Sequence, residues 1–159
     1  MSERILISAI AGLGLAGCCF SGAGDAGANF SLAPGFMPDP AASTGNAGGL
    51  TDASTLSSEC RGYIAPTPNH ILTATAAFPN LRIAVNGGNT DVTLVVQRPD
   101  GTYLCNDDFE GLNPLVEGPF AAGEHRIYIG TYSVESAGAR YRIALSELSS
   151  TSPNSIGTP

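Results

Sequence analysis

The chain has 159 residues, a formal charge of −7 at pH 7 and only 13% charged residues, and all seven of its positive charges are Arg. This length suits one domain with appendages. The negative charge excludes a nucleic-acid-binding surface, which needs a basic face to displace counterions, and it excludes electrostatic docking on anionic lipid. The 20 Gly and 11 Pro gather in the N-terminal half and at turns, which favours an all-β domain over a helical one.

The N-terminus has the pattern of an export signal. Arg4 precedes an apolar run that is too short to span about 30 Å of hydrocarbon, and small residues end that run. We therefore predict an export signal at residues 1–17. The sequence Leu-Ala-Gly-Cys at 15–18 resembles the bacterial lipobox, which implies that Cys18 is lipidated and becomes the new N-terminus. Secretion without lipidation and an uncleaved apolar segment are the alternatives.

Residues 18–58 are rich in Gly, Ala, Ser and Pro, and we predict a flexible tether that holds the folded domain away from a membrane. Plain disorder is the alternative. Within this segment, residues 30–32 (Phe-Ser-Leu) alternate as a strand does, so an added edge strand is expected there. Because such an edge can add main-chain hydrogen bonds to a neighbour's sheet, it would let copies assemble into a surface filament or layer.

Short strands separated by turns follow from residue 59 to residue 148. In the clearest of them, Val92, Leu94 and Val96 fall on one face of an extended chain, and Pro-Asp-Gly at 99–101 then reverses the chain. We predict an all-β fold class. The architecture is an antiparallel, jelly-roll-like β-sandwich of about seven to nine short strands over 59–148, with a polar tail at 149–159.

A series of segments in this region occurs in a characteristic order. They are Asp-Val-Thr-Leu-Val-Val at 91–96, Pro-Asp-Gly at 99–101, Cys-Asn-Asp-Asp at 105–108, Gly-Leu-Asn-Pro at 111–114, Gly-Glu-His-Arg-Ile-Tyr-Ile-Gly-Thr-Tyr at 123–132 and Ala-Arg-Tyr at 139–141. The series resembles the bacterial pre-peptidase C-terminal (PPC) type of domain. These β-sandwich modules stand beside secreted peptidases and also alone in exported proteins of proteobacteria. The resemblance implies an accessory role, since such modules have no reaction of their own.

Cys60 and Cys105 are the two cysteines of the predicted sandwich. Because an exported chain meets an oxidising compartment, we predict a disulfide between them. Two buried free thiols are the alternative. A zinc site is disfavoured, since two Cys and two scattered His lack the spacing of zinc ligands.

Side chains with hard oxygen atoms gather in and around the acidic run at 106–110, and calcium binds about six to eight such atoms. The candidate calcium ligands are Asp91, Asn106, Asp107, Asp108 and Asn113. In the alternative, Asp107 and Asp108 accept backbone N–H groups and shape the turn. The spacing is not that of an EF-hand loop. No cofactor other than calcium is expected.

Tyr128 and Tyr132 share one face of a predicted strand, so they would stack against sugar rings if that face is exposed. Ordinary sheet packing explains them equally well. His70 and His125, together with many Ser residues, raise a hydrolase alternative in which His acts as the base for a Ser nucleophile. No Gly-x-Ser-x-Gly elbow occurs, and we predict no catalytic residue.

These observations predict a non-catalytic, exported binding or structural module in the periplasm, in the outer membrane or at the cell surface. The expected partner is a protein or glycan of the cell envelope. A lipid anchor would be its only contact with the membrane, and no nucleic acid is expected. A self-assembling filament or layer, a carbohydrate-binding module and a hydrolase are the alternative functions.

Overall fold

The computed structural model describes residues 27–159, so the predicted export signal at 1–17 and the predicted lipidation of Cys18 lie outside the described residues. Within the described part, eleven strands form two sheets, and helix is limited to two short 3₁₀ turns. The strands are β1 (Phe30–Leu32), β2 (Ala41–Asn46), β3 (Thr51–Asp52), β4 (Tyr63–Ile64), β5 (His70–Ala74), β6 (Phe78–Asn86), β7 (Val92–Gln97), β8 (Tyr103–Asn106), β9 (Leu115–Phe120), β10 (Gly123–Thr131) and β11 (Arg140–Ser146). The predicted all-β sandwich is confirmed.

The larger sheet is organised around β10, which pairs with β5 and β4 on one side and with β7 on the other. From there the sheet extends through β5 to β1, through β4 to β3 and through β7 to β8. The smaller sheet has the order β2-β11-β6-β9. The strand pairs are antiparallel except for β1 with β5, which is parallel. Eight of the strands, β4 to β11, begin and end inside the predicted domain range of 59–148.

The main core lies between the two sheets, because strands of both sheets turn alternate apolar side chains inward. On β7, Val92, Leu94 and Val96 are fully buried there, as their alternation predicted. The strand β11 contributes Ile143 and Leu145 from the opposite sheet. Each fully buried aliphatic side chain stabilises the fold by about 1.5 to 3 kcal/mol relative to exposure.

The predicted tether at 18–58 requires a correction, because β1, β2 and β3 lie inside it and belong to the two sheets. The expected strand at 30–32 is present as β1, and it pairs with β5 of the same chain. The strand β2 pairs along its whole length with β11. Its small side chains have a packing reason: a Cβ atom on Gly45 would lie 2.5 Å from the Tyr141 hydroxyl oxygen.

The C-terminal segment, predicted as a polar tail at 149–159, packs on the outer face of the smaller sheet. Arg82 donates from Nη1 to the carbonyl oxygen of Thr151 at 2.9 Å, and Asn86 donates from Nδ2 to that of Pro153 at 2.8 Å. Thr151 and Pro153 are buried. The polar groups that the sequence places on β6 therefore hold this segment in place.

Across residues 27–159, the structure contains no helix with the length and apolar character needed to cross a bilayer.

Candidate functional site

The outer face of the larger sheet carries a cluster of polar and aromatic side chains. Because inward and outward positions alternate along a strand, the burial of Val96 and Ile127 in the core turns Gln97, Arg126 and Tyr128 outward. We call the surface formed by Gln97, Tyr103, Arg126 and Tyr128 the tyrosine face. Tyr103 and Tyr128 are both partly buried in it, so each leaves part of its ring exposed at the surface.

The strand register sets the geometry of the tyrosine face. Gln97 of β7 lies between Arg126 of β10 and Tyr103 of β8, and Tyr128 is the cross-strand partner of Val95 in the next row. The Gln97 amide donates from Nε2 to the Tyr103 hydroxyl at 3.1 Å. Burial raises the pKa of Tyr128, so its hydroxyl stays protonated well above neutral pH and can donate a hydrogen bond to a ligand.

A covering segment bounds the tyrosine face on one side. The structure joins Cys60 and Cys105 in a disulfide, as predicted, with Cα atoms 5.1 Å apart. This bond fastens the chain that leads into β4 onto the outer face of the sheet. There Cys60 and Ile64 form a second small core with Val95, against which Tyr103 and Tyr128 pack. The disulfide therefore holds the surroundings of both tyrosine rings.

Tyr128 and Tyr132 lie on the same side of the chain but are separated along it. Between them on β10 stands Gly130, where an added Cβ atom would lie 2.8 Å from the carbonyl oxygen of Tyr63 and 2.9 Å from a methyl of Ile64. The strand β4 thus packs closely against the outer side of Gly130 and separates the two tyrosines. Tyr132 lies beyond it and is 53% exposed. The predicted stacking pair stays a prediction, whereas Tyr103 is the tyrosine that packs against the same small core as Tyr128.

A cavity of about 260 Å³ adjoins the tyrosine face. It is lined by Gln97 and Arg126 of that face together with Arg98, Pro99, Gly101 and Glu124. Arg126 and Glu124, two positions apart on β10, form an ion pair at its wall, with Nε and Oε1 3.0 Å apart. An amide, a guanidinium and a carboxylate therefore stand next to two aromatic rings, a combination that supplies both stacking and hydrogen bonding to a polar ligand.

The predicted calcium ligands divide into two groups in the structure. Asn106 and Asn113 use their side-chain oxygens to accept backbone N–H groups, from Leu115 at 3.0 Å and from Gly87 at 2.7 Å. These two amides shape the loop, a role that the alternative interpretation had given to Asp107 and Asp108. Within residues 27–159, no group of three or more His, Cys, Asp or Glu side chains is arranged to hold a metal ion. Calcium binding stays a prediction.

The remaining acidic residues repel one another. Burial raises the pKa of Asp91, and the charges of Asp108 and Asp107 raise it further. Its Oδ1 atom is buried and lacks a hydrogen-bond donor within the described residues. The charged form of Asp91 is therefore disfavoured in the folded protein, so its contribution to stability is favourable below the unfolded pKa and is lost as the pH rises through the folded pKa.

We expect Asp91→Asn to raise the free energy of unfolding at pH 7 by about 0.2 to 0.5 kcal/mol, the size of a like-charge repulsion near a surface. At pH 3, where the carboxyl is protonated, the variant should match the wild type. Urea unfolding at the two pH values measures both. Repeating it with calcium chloride tests the predicted site, since a calcium ion held by Asp91 would stabilise the wild type and not the variant. Destabilisation by Asp91→Asn at pH 7 without calcium would contradict the repulsion.

Both histidines are buried in the core rather than displayed at a site. His70 is held at both nitrogens, with Nδ1 2.9 Å from the carbonyl oxygen of Ala28 and Nε2 2.7 Å from the hydroxyl of Tyr141. Burial lowers the pKa of His70 and also that of His125. His125 packs on Phe120 with ring centroids 5.1 Å apart. Among the described residues, neither ring has a Ser hydroxyl as a hydrogen-bond partner, so the hydrolase alternative gains no support from them.

No family model and no curated protein matches the chain. Among solved structures, the chain is similar to the pre-peptidase C-terminal domain of a collagenase from Bacillus anthracis, with a TM-score of 0.47 and 14% identity over 74% of this chain and 93% of that domain. That domain is of the type that the sequence resembles. The fold and the disulfide of this chain define it as an all-β sandwich module with one cross-linked outer face.

Proposed function

We propose that this protein is a non-catalytic binding module and that its tyrosine face binds a saccharide of the cell envelope. The observation that carries the proposal is that Tyr103 and Tyr128 pack against one small core on the same outer sheet face, beside a cavity lined by Gln97, Arg126 and Glu124. Aromatic rings stack on the apolar faces of sugars, and planar amide, guanidinium and carboxylate groups satisfy the hydroxyls at the sugar edges.

The packing of the tyrosine face favours binding over a purely structural role. Tyr103 and Tyr128 are held by the cross-linked segment around Cys60, and the Gln97 amide fixes the Tyr103 hydroxyl. A ligand that stacks on rings already fixed in place loses less conformational entropy than one that must order mobile side chains. The self-assembly alternative stays a prediction: β1 pairs with β5 of its own chain on one side and is the terminal strand of the larger sheet within residues 27–159, so its other edge could pair with a neighbour.

Tyrosine fluorescence tests the saccharide proposal directly, since the chain has five Tyr and no Trp. The titrants are neutral hexasaccharides of glucose and of N-acetylglucosamine and a soluble polyuronate. We expect saturable quenching by at least one of them. Tyr103→Ala and Tyr128→Ala should each weaken binding about five- to tenfold, because each removes a stacking surface.

Tyr132→Ala is the matched control, because Tyr132 is an exposed tyrosine that does not belong to the tyrosine face. The strand β4 lies between Tyr132 and Tyr128. This variant should leave the affinity unchanged. If none of the three titrants quenches the fluorescence, or if Tyr132→Ala weakens binding as much as Tyr128→Ala, the tyrosine face is not a saccharide site.

We also propose that the module works outside the cytoplasm, anchored through Cys18. The disulfide supports this location, because structural disulfides persist in oxidising compartments. The intact mass of protein purified from its own envelope fraction tests it under non-reducing conditions. We expect a chain that begins at Cys18, carries acyl groups and is two hydrogens short for the Cys60–Cys105 bond. A full-length chain with two free thiols would contradict both export and anchoring.

A further inference from the structure

A groove lies on the opposite side of the molecule from the tyrosine face. It has a volume of about 500 Å³, which falls within the range of small-molecule sites. We call it the alanine groove and define it by Ala42, Arg142, Ala144, Leu148, Ser155 and Ile156. It lies where the outer face of the smaller sheet meets the packed C-terminal segment.

The groove exists because the smaller sheet carries small side chains on its outer face where the C-terminal segment covers it. Ala42 of β2 and Ala144 of β11 are cross-strand partners on the outer face, since their neighbours Ile143 and Leu145 face the core. A methyl group at each of these positions leaves a depression between the sheet and the segment that follows β11. Leu148 and Ile156 of that segment add apolar walls. The groove therefore accommodates an apolar body.

Arg142 gives the groove a cationic end. Its Nε atom is buried and has no hydrogen-bond acceptor within residues 27–159. The Nε atoms of Arg82 and Arg98 are unpartnered in the same way, so what sets Arg142 apart is that it lines this groove and belongs to neither ion pair of the described residues, Arg82 with Glu117 or Arg126 with Glu124. A guanidinium that lines a groove without an acidic partner fits a carboxylate, whose two oxygens match its planar fork.

The nearby acidic groups are already engaged elsewhere. Asp39 accepts from the Ser146 hydroxyl at 2.5 Å and from the backbone N–H of Glu147 at 3.1 Å. The Glu147 carboxylate accepts from the backbone N–H of Gly35 at 2.6 Å. Neither carboxylate lines the groove. Within the described residues, no carboxylate that lines the groove neutralises the charge of Arg142.

We propose that the alanine groove binds a carboxylate attached to a short apolar body, with Arg142 holding the carboxylate and Leu148 and Ile156 covering the body. Two sources share this chemistry, namely a free aliphatic acid and the C-terminus of a peptide. The site is separate from the tyrosine face. The proposal for the alanine groove therefore does not depend on whether the tyrosine face binds a saccharide.

The test is an NMR titration that follows the Arg142 Nε–H resonance with two matched pairs of probes. Hexanoate is compared with hexanamide, and N-acetyl-Ala-Leu with a free C-terminus is compared with its C-terminal amide. We expect saturable shifts with at least one acid and none with its amide. A response to both acids assigns the site to small carboxylates generally, and a response to the peptide acid alone assigns it to chain termini.

Two substitutions and one control distinguish the contribution of the Arg142 charge to binding from that of the shape of the groove. Arg142→Gln should weaken binding of the acid at least about tenfold, the loss expected for a hydrogen bond to a charged group. Because this variant lacks the Nε–H group, its titration follows the backbone amide resonances of Ala42 and Ala144, which line the groove. Arg140→Gln is the matched control, because Arg140 stands two positions away on the same face of β11 and is exposed, and it should change nothing. Ala42→Leu should fill the groove and weaken binding while the charge remains.

Three results would overturn the proposal: no shift with either acid, equal shifts with acids and amides, or undiminished binding by Arg142→Gln. A dispersed spectrum and an unchanged Tm for each variant show that the fold is intact, so a loss of binding is assigned to the groove.

Discussion

Removing the disulfide with the double substitution Cys60→Ser and Cys105→Ser is expected to lower the free energy of unfolding by about 4 kcal/mol. The bond closes a loop with a sequence separation of 45 residues, and the chain-entropy model relates the stabilisation to the length of that loop. This would be a large fraction of the stability of a small domain, which is about 5 to 15 kcal/mol. Urea unfolding of the oxidised protein and the double variant measures the difference.

The same variant separates a local effect from a global one. Because Cys60 and Ile64 pack with Val95 beneath the tyrosine rings, the cross-link is expected to hold the tyrosine face more than the core between the sheets. The wild type after reduction is the control, since it keeps both sulfur atoms and should unfold at the same urea concentration as the double variant. A change below about 1 kcal/mol would show that the covering segment is held by packing alone.

Gly45→Val is expected to destabilise the protein by about 1 to 3 kcal/mol, the usual effect of overpacking. An added Cβ atom would lie 2.5 Å from the hydroxyl oxygen and 2.8 Å from the Cζ atom of Tyr141. That ring cannot withdraw freely, because its hydroxyl lies 2.7 Å from Nε2 of the buried His70. Thermal unfolding followed by circular dichroism measures the change.

Thr44→Val is the matched control for this experiment. Thr44 is the neighbouring residue of β2 and points to solvent, so a branched apolar side chain there should change the stability by less than about 0.5 kcal/mol. The pair of variants distinguishes a strand from a tether. If residues 41–46 were a flexible linker, both substitutions would be neutral.

The sequence predicted those elements whose pattern is local. Val92, Leu94 and Val96 alternate with polar or outward residues, and all three are buried as that alternation requires. The turn at 99–101 places Tyr103 opposite Gln97, so the hairpin register could have identified Tyr103 as a member of the site. The strand β2 was missed because Ala-Ala-Ser-Thr-Gly-Asn has no strong apolar alternation, and its small residues are explained only by the Tyr141 ring that packs on them.

Contacts between distant strands were not predictable from these patterns. Tyr128 and Tyr132 have the same parity along β10, which suggested a shared platform, but β4 packs against Gly130 between them. Asn106 and Asn113 have oxygens that suit calcium, yet both accept backbone N–H groups of other segments. The type of a side chain indicates which groups it can bind. Whether its polar atoms already form hydrogen bonds within the protein depends on the tertiary structure.

The sequence by itself determined the all-β class, the strands with strict alternation and the hairpin at 97–103, because each follows from local periodicity and turn residues, and it predicted the Cys60–Cys105 bond from the two cysteines that lie within the predicted sandwich. Only the tertiary structure decided that β2 and β3 belong to the sandwich, that Tyr103 and Tyr128 pack against one small core and that Arg142 lines a groove beside the C-terminal segment. The physical reason is that these features depend on which strands become neighbours. That choice is made by packing among residues far apart in the chain, about which a local pattern carries no information.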